Sequence, residues 1–154
     1  MTQGPEPPAL PDDDPNIPDD EVLYRRLSYD NGAWVVKHAV TRQRVRPTSG
    51  AFNPDPDGVS VFRHACLLAL LPPLGPSDLV VSPENVVVGF TVGDVRSLNL
   101  GVKDDPWPID VPDPDHPRNA AHALIIGLNG LGRNARSRQQ KLLAEVPSMK
   151  FVHG

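Results

Sequence analysis

Cysteine, long apolar runs and early basic residues are scarce in this sequence, and each scarcity excludes a class of protein. Cys66 is the single cysteine, so an intramolecular disulfide framework is excluded. No stretch approaches the roughly 20 apolar residues that a membrane-spanning helix needs. The first 21 residues contain no Lys or Arg, so no secretory signal with a basic start is expected. The sequence therefore predicts a cytoplasmic protein without a membrane partner.

The acidic residues are concentrated at the start of the chain. The 154 residues include 19 acids and 15 Lys or Arg, which gives a net charge of −4. Residues 1–21 hold seven of these acids, so residues 22–154 carry 12 acids against 15 bases, a net charge of +3. This balance makes strong non-specific binding of nucleic acid an unexpected property, although it is compatible with a local basic site.

Composition also divides the chain into a tail and a domain. Residues 1–20 are rich in Pro and Asp and poor in large apolar residues. Such a segment cannot bury enough apolar surface to offset its ordering entropy, so a disordered acidic tail, or else an extended arm, is predicted. Residues 21–154 have the length of one domain, and a chain of this size buries roughly two-thirds of its surface.

The hydrophobic pattern of residues 21–154 predicts an α+β domain with a small, mostly antiparallel sheet and two main helices. Strands are predicted at 21–28, 33–40, 42–46, 59–62, 86–92, 120–127 and 149–152. In the first strand, alternation places Leu23, Arg25 and Leu27 on one face and Tyr24 on the other. A helix over 62–71 is apolar nearly all round and should be central. A second helix, over 133–146, is amphipathic with a basic polar face.

The stretch from 42 to 61, RQRVRPTSGAFNPDPDGVSV, contains a candidate anion site. Arg42, Arg44 and Arg46 alternate along a predicted strand, and Pro47 ends its regular pairing. A hairpin-like return to the strand at 59–62 would bring Arg44, Arg46, Ser49 and Ser60 together. Guanidinium groups beside hydroxyls suit a phosphate or a carboxylate. The alternative is a solvated strand face with serines in turns.

Other reactive residues form weaker patterns. Cys66 lies in an apolar run and is predicted to be a buried structural thiol. The five histidines lack metal-ligand spacing, and neither a metal site nor a cofactor is expected. Ser49 and His122 are the candidates for a catalytic role, and no triad is assigned. Residues 106–117 include five prolines and form a predicted surface loop, in which Trp107 is either a partner anchor or docks on the core.

Two resemblances follow from these motifs. The pattern Arg25-Arg26, Arg44-x-Arg46-Pro47-x-Ser49-x-Ala51-Phe52, Gly58-x-Ser60-Val61 and His122-Ala123 resembles a group of small bacterial proteins of unknown function. More weakly, the chain is similar to ADP-ribosyltransferase-like folds, which place an arginine and a serine in an NAD cleft. That similarity implies these roles for Arg25 or Arg26 and for Ser49 or Ser60. The late catalytic glutamate has no good counterpart, since Glu84 and Glu145 stand in unsuitable contexts, and His122 is the substitute.

Three functions are consistent with the sequence. The first is a bacterial accessory or interaction protein, with another protein or a small anionic ligand as partner. Its anion-accepting patch would contain Arg25, Arg26, Arg44, Arg46, Ser49 and Ser60. The second is a nucleotide-using, ADP-ribosyltransferase-like enzyme or toxin-type domain built on the same residues, with His122 as acid or base. The third is a weak nucleic-acid contact through the basic helix at 133–146.

Overall fold

The structure is a computed structural model that describes residues 12–28, 32–107 and 118–153. Eight strands lie in this part of the chain: β1 Val22–Leu27, β2 Val35–Lys37, β3 Arg44–Pro47, β4 Val59–Arg63, β5 Val86–Thr91, β6 Gly101–Asp104, β7 His122–Ile126 and β8 Lys150–His153. The α-helices described there are α1 His64–Leu68, α2 Val92–Arg96 and α3 Arg133–Ala144. Short 3₁₀ helices span Ser49–Phe52, Pro76–Leu79 and Arg118–Ala121.

Six strands form one antiparallel sheet in the order β6-β7-β4-β1-β5-β8, and β2 pairs with β3 in a separate ribbon. The predicted α+β fold is confirmed. Leu23 points into the larger of two apolar clusters and Tyr24 into the smaller one on the opposite face, as the alternation predicted. Leu143 of α3 packs into the larger cluster, where the rings of Phe52 and Phe90 meet edge to face at 5.7 Å. Both faces of the sheet centre are therefore covered.

The helix predicted over 62–71 is much shorter and lies at the surface. Phe62 and Arg63 belong to β4, because their backbone groups pair with neighbouring strands. Leu67 is fully buried, whereas Leu68 is 56% exposed and Leu71 is 95% exposed. The prediction of a central helix is therefore wrong. Cys66 is half-buried, and burial raises the pKa of its thiol above the usual value, against the opposing effect of the Arg63 charge.

Helix α3 matches the predicted amphipathic helix and ends two residues earlier. It is the longest helix among the described residues, with 12 residues. Its inner face is formed by Gln140, Leu143 and Ala144. Within the described ranges, no helix has both the length and the apolarity that a membrane span requires.

The N-terminal segment, residues 12–20, packs on the domain, in contrast to the predicted disordered tail. Ile17 is fully buried in the larger apolar cluster. Arg96 of α2 donates hydrogen bonds of 2.7 Å to the carbonyl oxygens of Asp14 and Ile17 and to the carboxylate of Asp19, and one of 3.3 Å to Asp13. One apolar anchor, one arginine and backbone hydrogen bonds to Val102 and Gly93 thus hold this acidic segment. Residues 1–11 lie outside the described part, as do residues 108–117 of the predicted proline-rich loop.

Substituting Arg96 tests this attachment. Arg96→Ala removes the donor to two carbonyls and two carboxylates, so the free energy of unfolding should fall by about 2 kcal/mol. Cleavage by an Asp-directed protease within residues 12–20 should become faster, because the segment loses its anchor. The control is Arg133→Ala, which removes an exposed arginine of α3. Equal cleavage rates in the two variants would show that Ile17 and the backbone hydrogen bonds hold the segment without Arg96.

Candidate functional site

A cavity of about 300 Å³ lies at one end of the sheet, beside the C-terminal half of β1. Its polar lining consists of Arg25, Arg26, Ser28, Asp55, Ser60 and His122. Its aromatic lining consists of Trp34, Phe62 and Trp107. Among the residues that the structure describes, the lining therefore combines two cations, one carboxylate, two hydroxyls and an imidazole with three aromatic rings.

The cavity lies where β1 and β4 separate. The ladder between these two strands consists of the pairs Leu23↔Arg63 and Tyr24↔Phe62. Beyond these pairs, β1 remains paired with β5 as far as Leu27, and β4 remains paired with β7 as far as Val59. The sheet is therefore split between β1 and β4 at this end. Residues of both strands can face one opening that a continuous ladder would have closed.

Arg25 bridges the split with its guanidinium group. Nη1 donates a 2.8 Å hydrogen bond to the Ser60 carbonyl oxygen of β4, and Nε donates a 3.1 Å bond to the Ala51 carbonyl oxygen. Burial lowers the pKa of Arg25 to about 10, the Asp55 carboxylate opposes this effect, and the neighbouring Arg26 charge adds to it. Arg25 therefore stays charged at neutral pH, in surroundings that stabilise its charge less well than water does.

Arg26 enters the cavity from the opposite face of β1. Its Nη1 donates a 3.1 Å hydrogen bond to the Leu79 carbonyl oxygen. Its guanidinium carbon lies 5.8 Å from the centre of the Phe62 ring, within the range of a cation–π contact. Consecutive strand residues normally point apart. They line one cavity here because the split exposes both faces of β1.

His122 is buried at the cavity wall and held by Asp105. Its Nδ1 lies 2.9 Å from the Asp105 carbonyl oxygen and 3.2 Å from Asp105 Oδ2. Both partners are acceptors, so Nδ1 carries a proton. The Trp107 ring stacks on the imidazole at 3.8 Å, and its Nε1 donates a 3.1 Å bond to Asp105 Oδ2. Asp105 thus orients both rings, and Trp107 docks on the domain while 42% exposed.

Three sequence-predicted site residues lie elsewhere. Arg44 and Arg46 are in β3, which pairs with β2 and not with β4, so the predicted hairpin is wrong. Arg46 Nε lies 3.8 Å from Glu145 Oε1. Ser49 begins a 3₁₀ helix, and its carbonyl oxygen accepts a 3.1 Å hydrogen bond from Gln140 of α3. This 3₁₀ helix buries Phe52 in the core, which turns the chain away before β4 begins.

The cavity also contains residues that sequence reasoning missed. Asp55 belongs to the predicted Pro/Asp turn, which Asn129 secures by hydrogen bonds to the carbonyl oxygens of Asp55 and Pro56 at 2.8 and 3.0 Å. Trp34 was assigned only to a strand. Trp34 and Trp107 are the two tryptophans of the chain, and both line this cavity. The scarcity of tryptophan is a sequence signal that could have singled out these two residues.

Comparison with known proteins leaves the function to be argued from this geometry. No protein-family model, no curated protein and no solved structure matches the chain. The function is therefore inferred from the split sheet, the paired arginines and the aromatic walls. Together they characterise this cavity as a cationic site with flat apolar surfaces.

Proposed function

We propose that this protein binds a small phosphorylated compound with a flat ring in the cavity at the split between β1 and β4. The phosphate would lie near Arg25, Arg26 and the Ser60 hydroxyl, and the ring would contact the tryptophan side. One observation carries the proposal: Arg25, Arg26, Ser60 and His122, all candidates from the sequence, line a single cavity. In this proposal the protein is a ligand-binding accessory protein.

The charges around the cavity favour an anion. Among the described residues, the lining contains two arginines and one carboxylate, that of Asp55. The lowered pKa of Arg25 means that its charged form lacks full compensation in the folded protein. A phosphate within hydrogen-bonding distance would supply that compensation by accepting from Nη2 of Arg25, since Nε and Nη1 already donate to the Ala51 and Ser60 carbonyl oxygens. A positively charged ligand would be repelled by the two arginines.

The size and walls of the cavity limit the ligand. A volume of about 300 Å³ is at the lower end of small-molecule sites, which span roughly 300–1,000 Å³. Trp34 and Trp107 present ring surfaces, which favour planar groups by stacking, whereas the Phe62 ring already lies against Arg26. These features suit a ligand the size of a mononucleotide or smaller, so we expect adenosine monophosphate to be a better probe than NAD.

Thermal unfolding with matched probes tests the proposal. Adenosine monophosphate should raise Tm, while adenosine and inorganic phosphate should each raise it less; a ligand at 100 times its Kd stabilises the native state by about 2.7 kcal/mol. Arg26→Gln should weaken binding at least tenfold, and Arg133→Gln, on exposed α3, should leave it unchanged. The proposed site is wrong if no probe raises Tm, or if both variants lose affinity for adenosine monophosphate equally.

A second candidate function is ADP-ribosyl transfer or NAD hydrolysis. It is favoured by the presence of Arg25, Arg26, Ser60 and an Asp105-oriented His122 at one cavity. Neither Glu84 nor Glu145, the glutamates weighed for the late catalytic role, belongs to the described lining. This candidate would be supported if the protein released nicotinamide from NAD and if His122→Gln abolished the release while keeping its affinity for NAD. NAD binding without release would support the binding protein.

A further inference from the structure

The basic residues outside the cavity are segregated in the sequence to an unusual degree. Residues 32–54 and 127–144 together contain eight Lys or Arg and no Asp or Glu. The other residues hold all 19 acids and the remaining seven bases. The two segments therefore carry a net charge of +8, and the rest of the sequence carries a net charge of −12. The overall charge of −4 therefore hides a strongly cationic portion.

Tertiary structure brings the two acid-free segments together. The first contains the β2–β3 ribbon and the 3₁₀ helix that follows it, and the second contains α3. Gln140 of α3 donates hydrogen bonds to the Ser49 carbonyl oxygen at 3.1 Å and to Asn53 Oδ1 at 2.7 Å. The Arg46–Glu145 contact at 3.8 Å joins β3 to the residue that caps the C-terminus of α3. Ribbon and helix are thus neighbours on one part of the surface.

The side chains of this surface, which we call the basic surface, are accessible. Arg133, Arg138 and Lys141 on α3 are exposed, and so is Arg42 in the turn of the ribbon. Arg133 and Lys141 are eight residues apart, which corresponds to about 12 Å along the helix axis. Ser137 lies between them on the same helix face and adds a hydroxyl donor. The row consists of two cations and one hydroxyl, and the carboxylate of Glu145, which contacts Arg46, follows it at the C-terminus of the helix.

We infer that the basic surface formed by α3 and the β2–β3 ribbon binds the phosphate backbone of a nucleic-acid duplex. Six of its eight bases are arginines, whose planar forks suit phosphate oxygens. Uncharged polar side chains and arginines are the usual backbone contacts in such complexes. The exposed residues named above include no aromatic ring to read or stack on bases, so binding should be independent of sequence.

A lipid surface fits this region less well. Peripheral membrane helices carry Trp, Phe or Leu along one face, with which they insert below the headgroups. Here the exposed large apolar residues near the basic surface are Val40, Val45 and Leu142, which lie on different elements. An outward helix stripe of Arg133, Ser137 and Lys141 offers charge without an apolar anchor. The chemistry therefore favours a phosphodiester backbone over a bilayer.

Fluorescence polarisation with a labelled 20-base-pair DNA duplex tests this inference. Binding should weaken between 50 and 200 mM salt, with a log–log slope of about −0.9 for each phosphate neutralised. Arg138→Gln with Lys141→Gln should make the slope shallower by about 1.8, and Arg42→Gln should make it shallower by about 0.9. A duplex of unrelated sequence should bind equally well.

The matched controls lie on other elements of the fold. Lys103→Gln on β6 and Lys150→Gln on β8 each remove one exposed cation outside the basic surface and should leave the slope unchanged. Arg26→Gln should also leave it unchanged, which separates this surface from the cavity. The inference would be overturned if DNA binding did not depend on salt, or if the Lys103 and Lys150 variants made the slope as shallow as the variants of the basic surface do. Binding to phosphatidylserine vesicles in place of DNA would also overturn it.

Discussion

Glu21→Gln should lower the free energy of unfolding by about 3 kcal/mol, because it breaks a buried ion pair and leaves one charge without its main partner. Arg63 donates to both carboxylate oxygens of Glu21, from Nε at 2.8 Å and from Nη2 at 2.9 Å. The side chains are 5% exposed for Glu21 and 15% exposed for Arg63. Glutamine keeps the shape of glutamate but can accept through only one oxygen and carries no charge.

The position of this ion pair connects it to the candidate site. Arg63 pairs with Leu23 in the short β1–β4 ladder, and Glu21 directly precedes β1. The pair thus holds β1 and β4 together at the closed end of the ladder, while the cavity lies at the open end. Loss of the pair should therefore also weaken ligand binding, because the width of the split depends on how the strands are held.

The pH dependence of the Arg63 contribution can be stated from its shifted pKa. The hydrogen bond to Glu21 raises the pKa of Arg63 above its usual value, although burial opposes this shift. A base whose pKa is raised on folding contributes stability that is complete below its unfolded pKa and is lost as the pH rises through the folded value. The stability that Arg63 contributes should therefore be constant across the neutral pH range.

Urea denaturation of two variants measures the effect of the pair. The matched control is Asp104→Asn, which removes the second carboxylate near Arg63, a single contact of 3.3 Å with Asp104 39% exposed. Solvent-exposed pairs contribute about 0–1 kcal/mol, so this variant should change little. A loss in Glu21→Gln no larger than in Asp104→Asn would contradict the assigned role of the pair.

Gly58→Ala is the second substitution expected to have a large effect, with a loss of about 3 kcal/mol. Gly58 has a φ of 135°, a conformation that residues with a side chain rarely adopt. A Cβ at this position would stand 2.5 Å from the backbone carbonyl oxygen of Ile125 in β7. Backbone strain of this kind costs about 1–3 kcal/mol, and the contact with a sheet carbonyl adds to it.

The consequence for the cavity follows from the turn that Gly58 completes. Asp55 and Gly58 exchange backbone hydrogen bonds of 3.0 and 2.9 Å, which positions Asp55 at the cavity wall. Gly58→Ala should displace this turn and weaken the binding of adenosine monophosphate. The control is Gly75→Ala, since Gly75 has a φ of −125° and open space around its would-be Cβ. Similar losses of stability in both variants would show that strain at Gly58 is not the cause.

Most strands could be predicted from the sequence because their signals are local, whereas β6, Gly101–Asp104, was not among the predicted strands. Alternation in β1 assigned Leu23 and Tyr24 to opposite faces, and the β-branched run of β5 indicated a buried strand. Both follow from the two-residue period of side chains along a strand. The burial of Ile17 could not be predicted in this way, because a single apolar residue among acids has no period. Its position depends on Arg96, almost 80 residues later in the chain.

The candidate site was predicted in part. Arg25, Arg26, Ser60 and His122 do line one cavity, whereas Arg44, Arg46 and Ser49 do not. The error came from pairing β3 with β4 because they are neighbours in the sequence. Pairing depends on which strand offers free backbone groups and a complementary face, and β3 finds them in β2. Turn residues between two strands indicate a change of direction but do not specify a partner.

The sequence by itself determined the α+β class, the positions of the strands other than β6, the helix at α3 and the separation of charge along the chain, since each depends on residues close to one another. Only the tertiary structure decided where β1 and β4 part, which arginines share a cavity, and that two acid-free segments become neighbours. These features depend on contacts between residues far apart in the chain, and such contacts form only when the whole core closes around them.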